Sequence, residues 1–374
     1  MSMKIIEMHL LPVKLQLKNT FVSNHETVSR REVSIIGLKN DTGIWGYGEL
    51  EAFSTPYYTP ETQRSARLII KETLGPLLKN VQINQPEEIT NIFSEIAGNQ
   101  MAKAAIETAV WDLFAKIQKK SLAVLIAQKI HTKSRRNVPV GISIGAKSSF
   151  AELKNAVISA NYQGYQRIKI KVTSVEELNL IKKILQVFPD STFMIDANSS
   201  FSLKIASKLA EITAPNLVMI EQPLRTTDFV DHSILQARIT TRLCLDENIF
   251  SLDDVRTAYT LKSAQAINLK LARVGGIANA LAIINFCWEH GLLVWCGGML
   301  EAGIGRATNL AVASLLGLDF PGDISASSRY YSKDVITSEF MLARGMLSVP
   351  LGLGIGVTLT PKYQQALQDT TSFL

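Results

Sequence analysis

The sequence predicts an α/β chain: a (β/α)8-type barrel preceded by a small α+β domain. Three observations carry that prediction. From Val138 onward, short apolar strands alternate with amphipathic helices. Eight such units fit into about 190 residues, which suits a closed parallel barrel better than an open sheet. Five successive strand ends also carry a charged residue at the same phase.

Residues 1–135 form the smaller domain. They hold strand-like runs such as Val33–Leu38, which ends near the turn at 39–43. Helical patterns follow over 61–78 and 101–119. In the second, Ala102, Ala105, Ile106, Ala109, Val110, Leu113 and Phe114 mark one apolar face. The barrel spans 136–334. Its strand candidates are 138–144, 165–172, 192–195, 217–220, 242–245, 266–271, 292–296 and 320–324, with helices between them such as 174–188 and 276–290. An open doubly wound sheet shows the same alternation, and counting units does not prove closure. The last segment, 335–374, loses the rhythm and is expected to return to the first domain and complete it. Its Gly352, Gly354 and Gly356 do not join a barrel strand to a long helix, which argues against a nucleotide loop.

Bulk properties exclude several classes. With 47% apolar and 19% charged residues, the 374-residue chain can build a sizeable core and lacks the composition of a disordered one. The net charge of +6 raises the question of nucleic acid, but the basic runs at 116–120 and 133–136 are short and lack interleaved aromatics. They read as solvated surface, so no nucleic-acid partner is expected. Cys244, Cys287 and Cys296 are odd in number and show no CxxC spacing, so they read as reduced core thiols. No apolar run reaches the roughly 18 residues of a membrane span, and the early acid at Glu7 argues against a secretory signal. A cytoplasmic protein with no membrane partner is expected. The sequence leaves open whether it is a homo-oligomer.

Function is written at the strand ends. Lys171, Asp196, Glu221, Asp246 and Lys270 lie 25, 25, 25 and 24 residues apart, each closing an apolar strand. A barrel gathers such residues at the C-terminal mouth. Any one of them alone reads as the point where a strand meets water; five in register, three acids between two lysines, do not. Three converging carboxylates repel one another, and a bound cation relieves that. All-oxygen ligation with no His or Cys in the set selects Mg²⁺ over zinc, and Mn²⁺ can substitute. Lys169 and Lys171 are two apart, so both face the lumen. Their mutual repulsion would help make Lys171 a free amine able to take a proton. Arg273, three residues beyond Lys270, either acts likewise on Lys270 or forms a structural ion pair. A carbon acid beside a carboxylate becomes reachable when a metal and a cation stabilise its enediolate, so the substrate class is a small-molecule carboxylate.

These segments resemble the enolase superfamily, whose members use a Lys or His base with Mg²⁺. The Lys-x-Lys at 169–171 and the lysine at 270 resemble its muconate-lactonizing-enzyme subgroup. So do Asp196-Ala-Asn198, Ile220-Glu-Gln-Pro223, Leu245-Asp-Glu-Asn248 and Asn268–Gly276. The last of these, with Trp295–Arg306 and Pro321–Ser325, looks like the branch of o-succinylbenzoate synthases and N-succinylamino acid racemases. The resemblance implies that the N-terminal domain caps the barrel. It makes Asp196, Glu221 and Asp246 the metal ligands and Lys171 the general base. Lys270 is then either a stabilising cation or the opposite acid/base. Ser143, Asn198 and Gly297, Gly298, Met299 and Leu300 line the substrate pocket; Glu247 and Asp323 support it from behind. In the cap, 20–24 and 53–57 close over the substrate. The absence of histidine at Val294–Gly298 separates the chain from mandelate-racemase-like chemistry. Asp323-Ile-Ser325 lacks the second acid of dipeptide epimerases, so a free-amine substrate is not expected. The reactions implied are dehydration of 2-succinyl-6-hydroxy-2,4-cyclohexadiene-1-carboxylate, a step toward menaquinone, or 1,1-proton transfer on N-succinylamino acids.

Overall fold

The computed structural model describes residues 2–22 and 27–374. Three antiparallel strands open the chain: β1 (Ile5–Val22), β2 (Thr27–Asn40) and β3 (Trp45–Leu50), in that order across the sheet. The helix Gln100–Ile117 packs across β2 and β3 with fourteen buried residues, so its apolar stripe wraps most of its circumference. The predicted helix over 61–78 is broken into an α-helix Gln63–Ile69, a π-turn Ile70–Leu74 and a 3-10 turn Pro76–Leu78. Pro76 lacks an amide hydrogen and cannot continue the ladder.

The run predicted as one strand at 138–144 is two. β4 (Asn137–Pro139) pairs antiparallel with a later strand, and β5 (Ile142–Ile144) starts the barrel. Then come β6 (Ile168–Lys171), β7 (Phe193–Asp196), β8 (Leu217–Glu221), β9 (Arg242–Leu245), β10 (Ala266–Leu269) and β11 (Leu293–Cys296). All seven from β5 to β11 are parallel neighbours in sequence order, without the reversal of a doubly wound sheet. The eighth candidate, 320–324, is not a strand. It passes from β11 back toward β5 and holds one parallel bridge, Val140 to Gly322, with Gly141 N donating to Gly322 O at 2.8 Å. Pro321 has no amide to give a ladder, which accounts for the missing strand. β12 (Met346–Ser348) is the partner of β4. The terminal helix Pro361–Gln368 lies on β1, so the last segment packs on the first domain.

The barrel strands are buried on both faces, as parallel strands covered by helices require. Serine and aspartate caps start the outer helices: Ser149, Asp228 and Ser251 accept from the third residue beyond, and Ser174 forms a capping box with Glu177. Among the described residues no helix is long and apolar enough to cross a membrane.

Two glutamates of the first domain reach helix ends of the barrel. Glu107 accepts from Ile277 N and Ala278 N at 2.8 Å each, at the start of the helix Ile277–Glu289. Glu49 accepts from Ala302 N at 2.6 Å and Gly305 N at 2.8 Å, at the start of Gly303–Ala313. Each satisfies amides that a helix cannot pair itself, in the field of its dipole. Gly276 has φ of +115°, and a Cβ there would lie 2.3 Å from Glu107 Oε2, so only glycine admits this approach. Glu107→Ala would strand those amides and the Trp111 indole N–H, which donates to Glu107 at 2.7 Å. We expect a loss of about 3 kcal/mol, seen as a lower denaturant midpoint. An unchanged midpoint would show that this clamp contributes nothing.

Candidate active site

Side chains alternate faces along a strand, so residues two apart at the strand ends face the lumen in two layers. The register keeps the upper layer level: Lys171 pairs with Asp196, and Asp196 with Glu221. Beneath it Met194, Met219, Cys244, Ala266 and Trp295 fill the barrel. Cys244 sits in that filling layer, as its parity predicts.

The acids and cations of the upper layer interlock. Glu221 accepts from Asn268 Nδ2 at 2.6 Å and from Lys169 Nζ at 2.8 Å. Lys169 also reaches Asp323 at 2.5 Å and Asp196 at 3.3 Å. Asp196 accepts from Asn198 N at 3.0 Å. Asp246 accepts from Arg273 at 2.6 Å and lies 3.6 Å from Lys270. Burial, opposed by Lys169 and reinforced by Asp196, Asp246 and Asp323, pushes Glu221 up to about 8. Burial works on Asp246 in the same sense, but Lys270 and Arg273 outweigh it and hold Asp246 at about 2. Glu247 is pushed up to about 7 by burial and then by Asp246 and Asp196.

Lys169 departs from expectation. Burial alone would lower it, yet Asp323, Glu221 and Asp196 hold its ammonium well above the usual lysine range. Three carboxylates, not a neighbouring lysine, set its charge. Arg273 does both things open to it: it is 1% exposed and donates to Asp246, to the carbonyls of Ile249 and Asn268, and to the Tyr58 hydroxyl, and its charge also works against that of Lys270. Asp323 links Arg167 to Lys169.

The two strand-end lysines stand on β6 and just past β10, four positions apart and hence on opposite sides of the barrel. Lys171 donates to Asn198 Oδ1 at 2.7 Å, and Asn198 Nδ2 donates to Glu247 Oε1 at 3.0 Å. Lys270 donates to Gly298 O at 3.1 Å and sits 5.6 Å from the Tyr58 ring centroid. Burial is the largest influence and opposes its charge, but Asp246 and Tyr58 together outweigh it and raise Lys270 above the usual lysine range.

One pocket joins these groups. Lys169, Lys171, Asp196, Asp246, Glu247, Lys270 and Asp323 line it, with Ser143 and Asn198 on one side and Gly298, Met299 and Leu300 on another. Glu221 lies beneath, fully buried. Gly297 is buried and is not among the residues that line the pocket; a Cβ there would stand 2.2 Å from Asn268 Oδ1 and 2.7 Å from Lys270 Cε, so a glycine leaves those side chains room. Phe53 and Tyr57 of the cap line the pocket, as expected of 53–57. Of the 20–24 loop, Ser23 and Asn24 lie outside the described residues. Sequence reasoning missed Tyr58 and Tyr330, which also line the pocket. Neither falls on a barrel strand end, so the spacing that exposed the acids is silent about them.

Among the described residues, no three acidic, histidine or cysteine side chains converge ready-made on one ion. The acids lean on cations instead. The donor set is still all oxygen, and Glu247 Oε2 and Asn268 Oδ1 are buried oxygens without a hydrogen-bond partner. Crowded carboxylates beside orphaned oxygens fit a hard divalent cation.

Residues 152–363 match the family described as enolase C-terminal domain-like, and residues 5–127 match the mandelate racemase / muconate lactonizing enzyme N-terminal domain. An o-succinylbenzoate synthase of Listeria innocua is 47% identical over 97% of this chain and 96% of its own. An N-succinylamino acid racemase of Amycolatopsis is 35% identical over 96% of each. A solved enolase superfamily member from Enterococcus faecalis superposes with a TM-score of 0.94 at 43% identity over the whole of both chains.

Proposed function

Because the chain belongs to the enolase superfamily, with both the N-terminal and C-terminal domains of its mandelate racemase / muconate lactonizing enzyme group, we propose that it is a lyase. Its reaction is dehydration of 2-succinyl-6-hydroxy-2,4-cyclohexadiene-1-carboxylate to o-succinylbenzoate. The observation that carries this is the pocket placing Lys171 and Lys270 on opposite sides of the acids, in a chain 47% identical to a synthase.

In this reading Asp196, Glu221 and Asp246 hold Mg²⁺, or Mn²⁺ in its place, with Glu247 and Asn268 behind them. Bound there, the ion supplies Lewis-acid charge for the substrate carboxylate. Lys171, oriented by Asn198, takes the proton from the carbon that bears the carboxylate. The electron pair left on that carbon forms the double bond as the C–O bond of the neighbouring hydroxyl breaks. Lys171 returns its proton to the departing hydroxyl, so water leaves and the ring becomes aromatic. Lys270, held as a cation, stabilises the enediolate in between. Ser143 and the 298–300 segment wall the substrate, and Phe53 and Tyr57 exclude water above it. The cap is residues 1–135 with 335–374, over the barrel 136–334. The buried free thiols of Cys244, Cys287 and Cys296 agree with action in the cytoplasm.

The opposed lysines also favour a second reading, racemisation of N-succinylamino acids, which needs a base on each face of the carbon. Protein supplied with Mg²⁺ should convert the cyclohexadiene to the aromatic product, followed by ultraviolet absorbance. No conversion by folded protein would overturn the lyase reading. Loss of optical rotation from an N-succinylamino acid, without dehydration, would establish the second.

A further inference from the structure

Arg31 lies on β2 in the cap, far in sequence from every strand-end residue, yet it is 1% exposed and among the largest fully buried side chains. A buried guanidinium ordinarily sits on a carboxylate. Among the described residues no acidic side chain forms an ion pair with Arg31. It donates instead to four main-chain carbonyls: Glu32 at 3.0 Å, Ala52 at 2.8 Å, Glu51, and Leu300 at 3.3 Å across the domain boundary. Its guanidinium carbon stands 4.1 Å from the centroid of the Phe53 ring.

Those contacts fall on two opposing walls of the pocket. Phe53 is the cap wall and Leu300 the barrel wall. Leu300 has φ of +57°, a conformation that a leucine holds only when its surroundings fix it. Its carbonyl is fixed by Arg31 and by the Tyr331 hydroxyl at 2.5 Å. Two residues earlier in the same segment, the Gly298 carbonyl accepts from Lys270. The planar fork of one arginine therefore joins cap wall, barrel wall and, through that short segment, the ammonium of Lys270.

We propose that Arg31 is a specificity-determining positioning residue: it sets the gap between Phe53 and Leu300 and the placement of Lys270. This rests on the reading of Lys171 and Lys270 as groups on opposite faces of the substrate carbon. Lysine cannot replace it, because a point ammonium does not match four carbonyls around a flat fork.

The test uses full-length R31K and R31A proteins with Mg²⁺, their folds checked by circular dichroism and melting. In deuterium oxide, α-proton exchange is followed separately on each enantiomer of an N-succinylamino acid. At saturating substrate, where weaker binding no longer limits the rate, exchange on the enantiomer facing Lys270 should fall about tenfold or more, while exchange on the one facing Lys171 stays within about twofold. Affinity for o-succinylbenzoate, by calorimetry, should weaken about tenfold, and added guanidinium should restore part of both losses in R31A. Equal slowing on both enantiomers, or no change on either, overturns the proposal. If R31A does not fold, R31K decides alone. If the unsubstituted protein exchanges neither enantiomer, the two-face reading has failed, and product affinity still tests the wall-setting role: an unweakened R31K would overturn it.

Discussion

Lys171→Ala should lower dehydration turnover by about 10³-fold, the range expected when a general base is lost, with no loss of fold. The residue sits at the open end of β6, only partly buried, and its hydrogen bond to Asn198 is a contact of the site and not of the core. Lys270→Ala should be comparably severe for a different reason if, as proposed, its charge stabilises the enediolate. N-succinylamino acids separate the two roles. Lys270→Ala should keep deuterium exchange on the enantiomer presented to Lys171 and lose it on the other, along with all net racemisation. Lys171→Ala should give the mirror result. Racemisation persisting in both single variants would show that other groups move the proton.

Chelation should abolish turnover, and Mg²⁺ or Mn²⁺ should restore it. Without a cation, the ion-pair partners of Asp196, Glu221 and Asp246 among the described residues are Lys169, Arg273 and Lys270, and the substrate carboxylate meets no Lewis acid. A cation that binds the folded chain alone also raises its melting temperature, by mass action. Full turnover in metal-free protein, or a melting temperature indifferent to Mg²⁺, would remove the assignment of the three acids.

The site is legible in the sequence because a barrel converts spacing into spatial convergence. A step of 25 residues is one strand, one helix and two loops, so charge at that interval has to meet at one mouth. Parity then separates Cys244 from Asp246. Less of the rest is readable. The missing eighth strand follows from Pro321, whose lack of an amide outweighs an apolar run. Spacing misjudges the electrostatics of Lys169, because it shows the nearest lysine but not the three carboxylates that surround it. Tyr58 lines the pocket from a loop of the cap, Tyr330 from the short helix Ser327–Tyr330, and Arg31 braces its walls from β2; no period ties any of them to the strand ends. Glu107 looks like one more residue of an amphipathic helix, and nothing local marks it as the partner of a helix 170 residues later.

That arrangement of Glu107 and Glu49 bears on how such a chain can be divided or recombined. The first turns of Ile277–Glu289 and Gly303–Ala313 are completed by carboxylates encoded far upstream. A barrel excised from its N-terminal partner would leave those amides bare at the helices that follow β10 and β11, the strands nearest Lys270 and the Gly298–Leu300 wall. A graft from a relative should keep these helix starts capped only if it brings acids to those same points. The two halves are thus tied together at the helix starts beside the Lys270 side of the pocket, so the shape of that side depends on two carboxylates that the barrel sequence does not itself supply.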